Sequence, residues 1–239
     1  MGVLYLVRHA QASFLEPNYD KLSALGETQA SVLGEYWAQR KITFDRVGVG
    51  PCARQKDTVK FVSAAYQEAG LTFPEPQILA EFDGYQGEAV LRGSLPVLLE
   101  KDRRIRKLHD AFQSSTTSTE KRATFQKLFE AIIGDWVRGV IHLAGVETWP
   151  QFCARVNSGL KQFIGAGARG ERVAIITSGG PIAVASQRAL RLSPESTLQL
   201  TWMSRNSSWS EFLYDAERFT LSSFNIHEHI VDPAMRTYR

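Results

Sequence analysis

Five consecutive strand-forming apolar residues, Val3-Leu4-Tyr5-Leu6-Val7, end abruptly in Arg8-His9. A run with no polar alternation belongs to a strand buried on both faces, as in a parallel sheet. Charged groups at the end of such a strand cost free energy unless an anion or a partner meets them. In open α/β sheets, ligands sit just beyond the carboxyl ends of the strands. Arg8 and His9 are therefore candidate site residues.

Their chemistry points to phosphoryl groups. A neutral imidazole is a nucleophile near neutral pH, and a guanidinium grips phosphate oxygens with parallel hydrogen bonds. An Arg-His pair can also be a capping histidine beside a salt-bridged arginine, so further residues must decide.

The rest of the chain alternates strand and helix. Gln11 to Lys21 is a polar loop with Pro17 and Asn18 as breakers, and Ser23 is a helix N-cap. Leu25, Ala30, Leu33, Tyr36 and Trp37 recur at helical spacing. Asp45 to Gly50 is a second strand. A helix follows from about Ala53 to Gly70, and Ile78-Leu79-Ala80 forms a brief strand that delivers Glu81. Glu147 to Ile164 is a core helix, Gly165 to Gly170 a loop and Arg172 to Thr177 a buried strand. Ser178-Gly179-Gly180-Pro181 then opens another helix. Leu198 to Met203, Ser208 to Tyr214 and Phe219 to Leu221 read as late antiparallel strands at the sheet edge. The pattern predicts an α/β fold: a three-layer α/β/α sandwich with a mainly parallel sheet and antiparallel edge strands.

Between residues 88 and 145 the pattern turns wholly helical. Leu91 to Leu99 is a short helix, and Lys101 to Lys107 (KDRRIRK) is a basic run leading to Phe112. Ser114 to Thr119 is a polar hinge, and Phe125 to Val140 is amphipathic. This reads as a helical cap insertion, folded over the strand ends, in a single domain spanning 1–239. A basic run of this kind is usually a solvated face; otherwise it would contact an acidic partner.

Composition sets bounds. The hydrophobic and charged fractions, 44% and 22%, are those of a globular protein, and a net charge of +3 gives no basis for nucleic-acid binding. Cys52 and Cys153 form neither a disulfide framework nor a zinc site and fit a reducing cytoplasm. The chain starts on a strand, without a signal-peptide pattern, and no apolar run approaches a membrane span. A cytoplasmic protein with no membrane partner is expected, and a homodimer is compatible with the chain.

At the strand ends, four groups should meet: Arg8 with His9, Arg54, Glu81, and Ser178 with Gly179 and Gly180. Backbone N–H groups at a helix start, beside glycines that allow close approach, form an anion cradle. Two arginines, a histidine, a carboxyl and such a cradle suit phosphoryl transfer better than metal binding. His227 and His229, with Glu228 between them, read as packing or surface residues rather than metal ligands. Ser178 lacks the Gly-x-Ser-x-Gly context of a serine-hydrolase elbow, because Ile176 stands two residues before it. Cys52 reads as a small buried residue near the pocket.

These motifs resemble the histidine phosphatase superfamily, the phosphoglycerate-mutase-like fold. Arg8-His9-Ala10 matches its Arg-His-Gly motif. Arg54 with Thr58 matches its arginine followed four residues later by threonine. Leu22-Ser23-Ala24-Leu25-Gly26-Glu27-Thr28-Gln29-Ala30 matches its first helix start, and Glu81 matches the carboxyl after its third strand. The resemblance runs from residue 3 to about 90 and from 147 to about 230. It implies a cofactor-free phosphatase for a small phosphorylated substrate, in which His9 carries a transient phosphoryl group. It further implies that Arg8 and Arg54 hold phosphate oxygens, that Glu81 serves as acid and then base, and that Ser178 and Gly179 complete the phosphate site. Asp83 and Glu88 compete with Glu81 for the carboxyl role. The mutase-type Asn-Glu-Arg-His stretch is absent, since the chain reads Ala80-Glu81-Phe82-Asp83.

Two departures stand out. Ala10 replaces the motif glycine and restricts the backbone beside the nucleophile. Ser178 stands where the family carries a second histidine. Losing a charged donor there would cost ~2–4 kcal/mol of transition-state stabilisation. The alternative to a working phosphatase is therefore a phosphate-binding pseudoenzyme or partner-binding protein.

Overall fold

The computed structural model describes residues 1–13, 20–165 and 170–238. Pro17 and Asn18 of the first loop, and most of the loop placed at 165–170, lie outside them. The chain divides into two compact units, Met1–Gly84 with Arg155–Arg239, and Tyr85–Ala154.

The first unit is built on a six-stranded sheet. Its strands are β1 (Gly2–Arg8), β2 (Arg46–Val49), β3 (Pro76–Ile78), β4 (Arg172–Thr177), β5 (Trp209–Tyr214) and β6 (Phe219–Ile226), in spatial order β3-β2-β4-β1-β5-β6. The pairs β1–β4, β2–β4 and β2–β3 are parallel, whereas β1–β5 and β5–β6 are antiparallel. Its helices are α1 (Ala24–Gln39), α2 (Ala53–Glu68), α7 (Gly179–Leu190), α8 (Pro194–Met203) and most of α6 (Trp149–Ile164).

The opening apolar run is buried as its composition requires: Leu4, Leu6 and Val7 have no exposure. Alternate residues serve opposite faces. On one face, Tyr5, Val7, Val47, Val49, Ala174 and Ile176 pack with Leu33 and Trp37 of α1 and with Val59, Val62 and Tyr66 of α2. Trp37 anchors this layer, with ring centroids 5.1 Å from Phe44 and 5.6 Å from Trp209. On the other face, Gly48 of β2 lies under Phe163 of α6 and beside Ile175 of β4.

Register brings the strand ends into one row. Arg8 pairs with Thr177, Val49 with Ile176 on one side and Ile78 on the other. The residues that follow, His9, Ser178, Gly50 and Leu79, therefore emerge together at one rim.

One late segment differs from expectation. Leu198 to Met203 is helical, as the end of α8, and not a strand. The apparent alternation is overridden by a complete helix start: Ser193 Oγ accepts from Ser196 N at 3.2 Å, and Pro194 and Glu195 occupy the first turn. The last strand extends beyond Leu221 to Ile226.

The second unit is helical, with α3 (Gly87–Lys101), α4 (Arg103–Gln113), α5 (Ser118–Val137) and the first residues of α6. Asp102 caps α4, and Thr117 with Glu120 forms a capping box at α5. Trp136 centres its core, 5.5 Å from Tyr85 and 5.6 Å from Trp149 between ring centroids. The basic run is partly turned inward. Arg104 reaches the buried carboxylate of Asp135 at 2.5 Å, and Arg106 donates to the carbonyls of Leu99 and Glu100 at the end of α3. No described helix is long and apolar enough to cross a membrane.

Candidate active site

His9 follows β1 directly, and its main chain is tied down on both sides. Its N–H donates to Thr177 O at 2.7 Å, while its carbonyl accepts from Asn206 Nδ2 at 3.2 Å. The residue is 4% exposed. Nδ1 lies 2.8 Å from Ala10 O and Nε2 lies 3.2 Å from Arg54 Nε. A carbonyl can only accept and an arginine Nε–H can only donate. Nδ1 therefore carries the proton, and Nε2 presents a lone pair. Burial, then the charges of Arg54 and Arg8, hold the imidazole well below its usual pKa of 6.5, so it is neutral.

Arg54 occupies the first turn of α2. Besides facing His9, it donates from Nη1 to Asp20 at 2.7 Å. Asp20 also accepts from the backbone N–H of Ala53 at 2.9 Å, so its carboxylate sits at the N-terminus of α2. Thr58, four residues after Arg54, bridges the two motifs. Its hydroxyl donates to Arg54 O at 2.7 Å and accepts from Ala10 N at 3.0 Å. Thr58 thus ties the helix carrying Arg54 to the loop carrying the histidine.

Arg8 is held by the chain's C-terminal region. Its guanidinium donates to the carbonyl of Ser204 and, at 2.7 Å, to that of Tyr238. The terminal segment is itself clamped: Gln29 Nε2 donates to Met235 O at 2.8 Å and to Thr237 Oγ1 at 2.9 Å.

Ser178 is the N-cap of α7, with Gly179 in its first turn. Its Oγ accepts from Gln55 Nε2 at 3.0 Å. A Cβ placed on Gly84 would lie 3.5 Å from Ser178 Oγ and 3.8 Å from Arg54 Nη2, so these two groups border one space.

The carboxyl candidates separate. Glu81 lies on a 3-10 turn, Ala80–Phe82, with its stem against Gly159 of α6; its carboxylate makes no hydrogen bond or ion pair among the described residues. Asp83 accepts from Cys52 Sγ at 3.0 Å. Burial, followed by Asp83, pushes the Cys52 thiol up to about 12, against the pull of Arg54. Glu88 lies in the helical unit and pairs with Arg92 at 2.6 Å. His229 is buried, bonded to Ser207 Oγ at 2.8 Å and packed near Trp209, while His227 faces Asn225 O. Among the described residues, no group of three or more His, Cys, Asp or Glu side chains could hold a metal ion.

Comparison with known proteins gives the family and the fold. The family model of the histidine phosphatase superfamily (branch 1) matches residues 90–227. The chain belongs to the histidine phosphatase superfamily. Among solved structures, glucosyl-3-phosphoglycerate phosphatase from a mycobacterium, bound to VO3, superposes with a TM-score of 0.60 at 20% identity, covering 93% of this chain and 98% of that one. Phosphoserine phosphatase from Entamoeba histolytica, in complex with 3-phosphoglyceric acid, gives 0.60 at 15% identity, covering 97% and 100%. Alpha-ribazole phosphatase from Shigella flexneri gives 0.58 at 18% identity, covering 94% and 96%. These likenesses establish a shared fold. No curated protein sequence matches the chain.

Within this superfamily fold, Arg8, His9, Arg54, Ser178 and Gly179 stand at the strand-end rim. Sequence reasoning missed several supports: Asp20, Gln55, Asn206, and the main chain of Ser204 and Tyr238. It also missed Arg155 on α6, whose Nη1 donates to Glu81 O at 2.8 Å and to Asp83 O at 3.2 Å.

Proposed function

We propose that this chain is a phosphatase that hydrolyses a phosphomonoester of a small molecule through a phosphohistidine at His9. The observation that carries this reading is the imidazole itself: neutral, with Nδ1–H fixed on Ala10 O and the Nε2 lone pair turned to Arg54.

Nε2 attacks phosphorus in line with the ester oxygen. As the P–O bond breaks, Glu81 gives its proton to the leaving oxygen, and the alcohol departs. Nδ1–H stays on the Ala10 carbonyl, which stabilises the positive charge the ring acquires. Water then attacks phosphorus, Glu81 takes the water proton, and the P–N bond breaks to free phosphate and restore His9. Arg8 and Arg54 offset charge on the equatorial oxygens, and the Ser178 hydroxyl with the N-terminus of α7 completes the cradle.

A second reading is supported by Ser178: without a positive charge at that position, the pocket would bind phosphate and break no bonds.

One experiment separates the two. Phosphomonoester turnover is measured from pH 5 to 8 with wild type and His9→Ala, and acid-labile phosphate on the protein is trapped by rapid quench. The phosphatase reading expects turnover and label in wild type and neither in His9→Ala. Equal rates for the two proteins would leave the binding reading standing.

A further inference from the structure

Gln55 neighbours Arg54 in sequence yet points away from solvent, with no exposure. Each polar atom of its amide is committed. Oε1 accepts from Cys52 N at 3.1 Å, closing the start of α2; Nε2 donates to Phe82 O at 3.3 Å and to Ser178 Oγ at 3.0 Å. The orientation of the amide follows from its partners. A flipped amide would set oxygen against the Phe82 carbonyl and NH2 against the Cys52 N–H. Gly50 accommodates the amide, since a Cβ there would lie 2.2 Å from Oε1.

The consequence falls on Ser178. Its Oγ accepts a hydrogen bond from Gln55 Nε2, so its own O–H must point elsewhere, and nothing among the described residues accepts it. The space beside Gly84 is bordered by both Ser178 Oγ and Arg54 Nη2. An oxygen held there by Arg54 is within reach of the hydroxyl. A hydroxyl that accepts from an amide also becomes a stronger donor.

We propose that Gln55 is a positioning residue that orients the Ser178 hydroxyl as a neutral hydrogen-bond donor to an oxygen of the bound phosphoryl group. This rests on the phosphate-site reading above. A pair built this way carries no titrating charge, so it works equally at pH 5 and pH 8, as a histidine at that position could not.

The test measures the Kd of inorganic phosphate, a readout that needs no turnover, together with kcat and KM. The proteins are wild type, Ser178→Ala, Gln55→Leu and the double variant, all checked for an intact melting transition. Each single variant is expected to weaken phosphate binding about five- to twentyfold, and the double variant no further than either, because both remove one donor. Ser178→His is expected to add an ionisation between pH 6 and 7 to the phosphate-binding profile that wild type lacks. The proposal is overturned if Ser178→Ala leaves phosphate affinity unchanged, or if the two single losses multiply in the double variant. Ser178→Ala decides the matter alone should Gln55→Leu fail to fold. Normal phosphate binding without turnover would retire the phosphatase reading and leave this inference intact.

Discussion

Nε of Arg54 lies 3.2 Å from Nε2 of His9, so the cation covers the lone pair that would attack phosphorus. A phosphoryl group entering the site must take over that N–H while the lone pair turns to phosphorus. The same proximity depresses the imidazole's basicity, second only to burial. Arg54→Gln removes the charge and keeps a donor of shorter reach. It is expected to lower kcat/KM by roughly 10²- to 10³-fold, as for other donors to developing oxyanion charge. It should also raise the His9 pKa, read from the imidazole resonances in an NMR titration. An unchanged His9 titration would mean that burial alone keeps the ring neutral.

Asp20 neutralises Arg54 while capping α2, and Asp20→Asn separates these roles. Asparagine caps a helix as well as aspartate does, so stability should change by less than about 1 kcal/mol. The charge is lost, and Arg54 meets phosphate without compensation from this carboxylate. Inhibition by inorganic phosphate is expected to tighten about three- to tenfold at low salt, and the gain should shrink in 0.5 M salt because Asp20 is half-exposed. Weaker phosphate inhibition would show instead that Asp20 holds Arg54 in its binding geometry.

His229 predicts a pH dependence of stability. Burial lowers its pKa from 6.5 to about 3, with a smaller contribution from His227. Above pH 6.5 the ring is neutral in folded and unfolded chains and contributes nothing to the pH slope. Below pH 6.5 the unfolded chain binds a proton that the folded chain refuses, so stability falls as pH drops toward 3. By pH 5 the loss reaches about 2 kcal/mol for this one group. His229→Gln keeps a partner for Ser207 and removes the titration. Urea midpoints measured from pH 7 to 4.5 should therefore fall less steeply in the variant. Parallel curves would place the acid sensitivity elsewhere, with His9 next in line.

The sequence made some of this legible because strand ends and helix starts leave local marks. An apolar run that stops at Arg8-His9 locates the rim, and Arg54 with Thr58 lies one helical turn apart on one face. What stayed hidden depends on distant pairings. Arg8 is held by carbonyls of residues 204 and 238, Asp20 by a helix start more than thirty residues on, and Ser178 by Gln55 across 123 positions. No periodicity encodes such contacts. The strand expected at Leu198 to Met203 is overridden for a different reason: six residues of weak alternation do not outweigh the Ser193-Pro194-Glu195 helix start that precedes them.

The role assigned to Glu81 can be tested through the helix behind it. A methyl group on Gly159 of α6 would sit 2.5 Å from Glu81 Cβ and 3.0 Å from the Phe82 ring, so the 3-10 turn must move. Gly159→Ala gains about 1 kcal/mol of helix propensity and loses about 1–3 kcal/mol to overpacking, leaving a net change near zero to 2 kcal/mol destabilising. The functional effect should be larger and selective. An acid that protonates the leaving oxygen matters most for alkyl phosphates, whose alkoxides leave poorly, and least for p-nitrophenyl phosphate, whose phenolate leaves unaided. Glu81→Gln is therefore expected to lose about 10²- to 10⁴-fold in kcat on an alkyl phosphate and less than about tenfold on p-nitrophenyl phosphate. Gly159→Ala should show the same selectivity at reduced amplitude, because it displaces the carboxyl without removing it. Equal losses on both substrates would mean that Glu81 shapes the pocket, and the acid role would pass to Asp83, which already meets Cys52 at the start of α2.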